Sequence, residues 1–116
     1  MNKNINMLKI LKLGRYLRSA LDDIEDFIFE YLNLSNDIER DSIEIWCTSE
    51  NQVVISLKDE FEDEEEYIDI ILFEFKNNSF VLTSYDKNLP FVKGWQDMLM
   101  QYVNSRLNFI KPYLTD

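Results

Sequence analysis

Three patterns predict an α+β fold: an N-terminal helix, a four-stranded antiparallel meander and a C-terminal helix, with both helices packed on one face of the sheet. Apolar residues step by three and four near both ends of the chain, and they alternate or run together in four short segments between. The links between those segments are too short for crossover helices, so neighbouring strands must run antiparallel. A single domain spanning residues 1–116 is expected, because a chain of 116 residues leaves little room for a second core.

The first helix is expected over residues 7 to 32, where Ile10, Leu13, Leu17, Leu21, Ile24, Ile28 and Tyr31 form one stripe. Gly14 costs such a helix about 1 kcal/mol, and Ser19 followed by Asp22 can cap a fresh start, so a break near residues 14 to 19 is an alternative. Residues 33–41 lose the period and read as a loop. Ile43, Ile45 and Cys47 then alternate with Glu44, Trp46 and Thr48, and Val53, Ile55 and Leu57 alternate with Gln52, Val54 and Ser56. These are two half-buried strands joined by a tight turn.

The segment Tyr67 to Phe75 is apolar on both parities apart from Asp69 and Glu74, as befits a strand inside a sheet. Asn77 and Asn78 both tolerate positive φ and suit a two-residue hairpin into the strand Phe80 to Tyr85. Pro90 suits the start of the last helix, whose stripe is Val92, Trp95, Leu99, Tyr102, Arg106 and Ile110, with Pro112 as its stop.

Composition narrows the function. The chain is 46% hydrophobic, with two glycines and two prolines, which disfavours disorder. Cys47 is the one cysteine and histidine is absent, so intramolecular disulfides, thiol-cluster zinc sites and His-dependent catalysis are excluded. The N-terminus lacks a signal-peptide pattern and no apolar run reaches a membrane span, so a cytoplasmic location without membrane association is expected. The lone alanine, Ala20, beside abundant Asn, Ile and Lys suggests an AT-rich genome.

Charge is segregated along the chain. Residues 1–21 hold five bases and no acid, residues 22–86 hold twenty acids and three bases, and residues 87–116 hold four bases and two acids, for a net charge of -10. Bases at the start of the first helix and acids at its end oppose the macrodipole, so local helix stability does not explain them. Either the fold answers these charges internally, the N-terminal bases resting against the acids, or the surface is polarised to steer a partner.

The candidate site is the run Asp59, Glu60, Phe61, Glu62, Asp63, Glu64, Glu65 and Glu66, which has seven carboxylates in eight residues. As a solvated loop it guards the adjoining apolar strand against edge pairing. As a contact surface it spaces charges by ~3.3 Å per extended residue, close to the ~3.4 Å between phosphates of one DNA strand, so it can imitate a nucleic-acid backbone. Phe61 is then an apolar anchor ringed by charge. The run lacks the alternating acids and central glycine of a calcium loop, so no metal or other cofactor is expected.

Glu74, Phe75 and Lys76, with Asp59, Asp63 or Asp69 upstream, form an E-x-K that resembles the D…E-x-K signature of a nuclease superfamily. That resemblance implies Mg²⁺ held by the acids and a lysine assisting the attacking water. It covers three residues, and a strand directly after E-x-K departs from that family's order. The basic, apolar N-terminus is read as a core helix with a solvated basic face rather than a membrane-lying one. Trp46, Trp95 and Cys47 are expected in the core.

In size, charge and composition the chain resembles the small acidic inhibitors of phages and mobile elements, among them anti-CRISPR proteins, DNA mimics and toxin-immunity proteins. The resulting expectation is a non-catalytic inhibitor or adaptor that docks onto a basic, nucleic-acid-binding protein surface without touching nucleic acid itself. The rivals are a homo-oligomeric structural protein, a homodimer joined by its helices included, and a Mg²⁺-dependent nuclease using Glu74 and Lys76.

Overall fold

A computed structural model describes residues 14–32, 43–48, 51–59, 66–89 and 91–114. In chain order the elements are helix α1 (Gly14–Tyr31), strands β1 (Ile43–Cys47), β2 (Gln52–Asp59), β3 (Glu66–Lys76) and β4 (Ser79–Tyr85), helix α2 (Trp95–Arg106) and a 3₁₀ turn (Asn108–Tyr113). The strands form one antiparallel sheet in the order β1-β2-β3-β4, with both helices on one face. This is the α+β meander that the periodicities predict.

Helix α1 turns Ala20, Leu21, Ile24 and Ile28 inward and runs unbroken across Ser19, so the described helix has no capped restart there. Residues 7–13 of the predicted helix lie outside the described residues. Tyr31, placed on the buried stripe by its spacing, is 59% exposed, whereas Leu32 is wholly buried. The step of four from Ile28 stays on the inward face, and Tyr31 rotates out to lean on Phe27, ring centroids 5.2 Å apart.

The turns follow from asparagine. Asn77 and Asn78, at φ 52° and 61°, join Lys76 to its ladder partner Ser79, as a two-residue turn with both central residues left-handed requires. Asn51, at φ 60°, plays the same part between β1 and β2, where Thr48 N donates to Gln52 O at 2.8 Å.

Helix α2 departs from expectation at both ends. It begins at Trp95, after Gly94 in the left-handed region at φ 81°, and not at Pro90. It ends at Arg106; Leu107 leaves helical geometry, and the chain tightens into the 3₁₀ turn, where Ile110 N donates to Leu107 O at 3.2 Å. Pro112 sits inside that turn rather than stopping a longer helix. The buried stripe is Trp95, Leu99, Val103, Leu107 and Ile110, while Val92 is exposed.

The core lies between the helices and one face of the sheet. Ile43, Ile45, Val53, Ile55, Ile71, Phe73, Phe75 and Phe80 meet the inward residues of both helices. Full burial of an aliphatic or phenyl side chain contributes about 1.5–3 kcal/mol, so this layer supplies most of the driving force. Asn104 of α2 fastens the edge strand β4: its Oδ1 accepts from Phe80 N at 2.8 Å, and its Nδ2 donates to Phe80 O at 2.9 Å and Met100 O at 2.8 Å.

Candidate functional site

The β2–β3 ladder runs outward to the pair Asp59↔Glu66, at one end of the two central strands. The acid run therefore begins and ends on the sheet; Glu60, Phe61, Glu62, Asp63, Glu64 and Glu65, the residues between, lie outside the described residues. Like charges directly opposite each other weaken a ladder. The ladder continues to Asp59 and Glu66 in spite of that pairing.

Contacts orient the helices relative to this acidic end. Trp95 meets Tyr85, and Val92 N donates to Leu32 O at 3.2 Å, so the start of α2 and the end of α1 lie toward it. Asn104 holds Phe80, and Arg106 reaches Asp23, so the end of α2 and the first half of α1 lie toward the opposite end, with the Asn77-Asn78 turn. The sequence segregation of charge carries over only in part. Arg15, Arg18, Lys76 and Arg106 lie toward the Asn77-Asn78 end, with Asp22, Asp23 and Glu74 among them, while Glu30, Asp59, Glu66 and Asp86 lie toward the other end together with Lys58, which precedes Asp59 on β2, Lys87 and Lys93.

Two ion pairs join helical residues: Arg18 with Asp22 at 3.4 Å, and Arg106 with Asp23. Both are substantially exposed, so neither is a large source of stability. Beside the second pair, Tyr102 stacks on Phe27 at 4.2 Å, and desolvation, followed by the Asp23 charge, raises its pKa above the ordinary tyrosine value.

The sheet face turned away from the helices carries an apolar strip that periodicity alone did not assign. Trp46, Val54, Leu72 and Ser84 occupy one ladder row, and Glu44, Ser56 and Asp69 the next. Trp46, expected in the core, is 38% exposed on this outer face, its ring edge-to-face with Tyr67 at 6.1 Å. Ser56, in the row between the rows of these two rings, is wholly buried and donates from Oγ to Asp69 Oδ1 at 2.6 Å. Two bulges, between Ile55 and Ser56 on the β2 side and between Leu72 and Phe73 on the β4 side, break the registers of β3 close together. A concavity of about 470 Å³ opens there, lined by Val54, Asp69, Ile70, Leu72, Ser84 and Asp86 among others. Asp86 Oδ1 accepts from Asn88 N at 2.9 Å. Bulges re-aim side chains, and here they bring carboxylates beside an apolar floor.

The remaining sequence candidates separate. Glu74 and Lys76 occupy the last outward positions of β3, next to the Asn77-Asn78 hairpin, and neither lines the concavity. Among the described residues no group of three or more Cys, Asp or Glu side chains converges as a metal site. Trp95 is in the core, as expected, packed against Tyr85 and Phe91. Cys47 has the inward parity but is exposed, because it ends the edge strand β1 beyond the helices' cover. Its surroundings still desolvate the thiol and push its pKa up to about 11. No described helix is long and apolar enough to cross a membrane.

No protein-family model, curated protein or solved structure matches this chain.

Proposed function

We propose that the protein is a non-catalytic binding protein of the cytoplasm whose acidic end, Asp59 to Glu66, docks onto a basic surface of another protein, the kind of surface that otherwise holds nucleic acid. Size, acidity and composition place this reading with inhibitors of the phage and mobile-element type, anti-CRISPR, DNA-mimic or immunity proteins. What supports the reading is the density of the run, seven carboxylates in eight residues, whose ends Asp59 and Glu66 pair at one end of the central strands, whereas Arg18 and Arg106 are engaged with acids of α1. A dense acidic patch orients a molecule during diffusional encounter and raises the association rate with a basic partner.

The test is joint neutralisation of Glu62, Asp63, Glu64 and Glu65 to their amides. Partners captured from the source cell by the wild-type chain are expected to bind the variant at least tenfold more weakly, with a flatter dependence on salt. Equal affinity and an equal salt slope refute the proposal.

A further inference from the structure

We infer that the outer face of the sheet is a second half of the docking surface, and that it seats a segment of the basic partner in which apolar side chains alternate with arginine or lysine. This rests on the reading of the acidic end as a contact surface and adds to it the part that supplies specificity. A sheet face that no described helix covers ordinarily alternates to polar residues, yet this one exposes the Trp46–Tyr67 pair, with Leu72 half-buried and Val54 buried beneath. Interface cores combine such aromatic anchors with a polar rim.

Charge complementarity selects the occupant. Glu44 and Asp69 flank Ser56 beside the Trp46–Tyr67 pair, and Asp69 and Asp86 border the concavity over Val54 and Leu72. Each of those two aspartates uses one oxygen on a neighbour, Ser56 or Asn88, and a carboxylate accepts at both oxygens. An arginine or lysine entering the concavity lays its aliphatic stem on the apolar floor and its charged head against these carboxylates. A second copy of this chain is a poor occupant, because it brings the same carboxylates and another net charge of -10 onto the face.

Two capped synthetic peptides test this on the full-length, ¹⁵N-labelled chain: one alternating arginine with leucine, the other hexalysine. The alternating peptide is expected to move the amide signals of Trp46, Val54, Tyr67, Asp69 and Leu72 and the Trp46 indole, and hexalysine to act on the acidic end alone. Trp46→Ala is expected to weaken the alternating peptide about tenfold and leave hexalysine unchanged, with Tyr67→Ala repeating the result should the first variant lose its fold. Unaltered affinity in both folded variants overturns the inference, as does perturbation confined to the helices or to the acidic end. Concentration-dependent shifts of the same residues without peptide also overturn it, by making a second copy the occupant. Hexalysine binding that survives neutralisation of Glu62 to Glu65 overturns the acidic-end reading instead, so the two failures are distinct.

Discussion

Replacing Asn104 by alanine is expected to destabilise the protein by about 2 to 3 kcal/mol, because one side chain closes three hydrogen bonds and each is worth roughly 1 kcal/mol net. The orientation of the amide is dictated by its surroundings: one N–H donor and two carbonyl acceptors face it, so the oxygen must point to Phe80 N and the nitrogen to Phe80 O and Met100 O. Loss of the amide leaves both backbone groups of Phe80 without these partners on a strand that has no strand neighbour on that side among the described residues. In thermal denaturation the change corresponds to a Tm lower by roughly 8 to 12 °C for a domain of this size. Asn104→Asp sharpens the test. It keeps the acceptor for Phe80 N but sets a carboxylate against two carbonyl oxygens, which raises its folded pKa above the unfolded value of about 3.9. A raised folded pKa contributes stability that is present below the unfolded value and lost as pH rises through the folded one. The deficit of Asn104→Asp relative to wild type must therefore be smallest in acid and grow toward neutrality. Urea titrations at pH 3.5 and 7 read it directly. An alanine variant within 0.5 kcal/mol of wild type, the scale of an ordinary surface change, or an aspartate variant with a pH-independent deficit, refutes the clamp.

Three further outcomes follow from the same geometry. Phe73→Ala empties a wholly buried position at the centre of β3 and is expected to lower unfolding free energy by about 3 to 5 kcal/mol in urea titration. Gly94→Ala is expected to cost about 1 kcal/mol and Gly94→Asn less, since no atom stands within 4 Å of an added Cβ and the strain comes from the φ of 81° alone, which asparagine tolerates better. Iodoacetamide is expected to alkylate Cys47 in the folded protein at a rate that keeps rising toward pH 11; a plateau near pH 9 contradicts the desolvated thiol.

What was legible in the sequence was local. Asn77 and Asn78 had to be a turn because few other side chains accept φ of 52° and 61° in succession, and the antiparallel order followed from links too short to cross over. The errors arose where the outcome depends on a neighbour distant in sequence. Alternation put Trp46 and Cys47 on opposite faces of β1, but no local signal says which face receives the helices or how far along an edge strand their cover extends. Arg106 lay on an apolar stripe by spacing, and its partner Asp23 is 83 residues away. The run Tyr67 to Phe75 carried the most consequential ambiguity. Apolar residues on both parities identified β3 as a central strand, and central it is, yet the described helices cover only one of its faces. On that outer face Val54 is buried and Leu72 half-buried, whereas Trp46 on the adjoining edge strand keeps 38% of its surface exposed beside Tyr67. If the acids beside that strip merely kept the protein dissolved, an apolar strip among them would work against the same end. On the proposed reading the two observations join: the charges supply long-range attraction to a basic partner, and the half-exposed Trp46–Tyr67 pair supplies short-range fit.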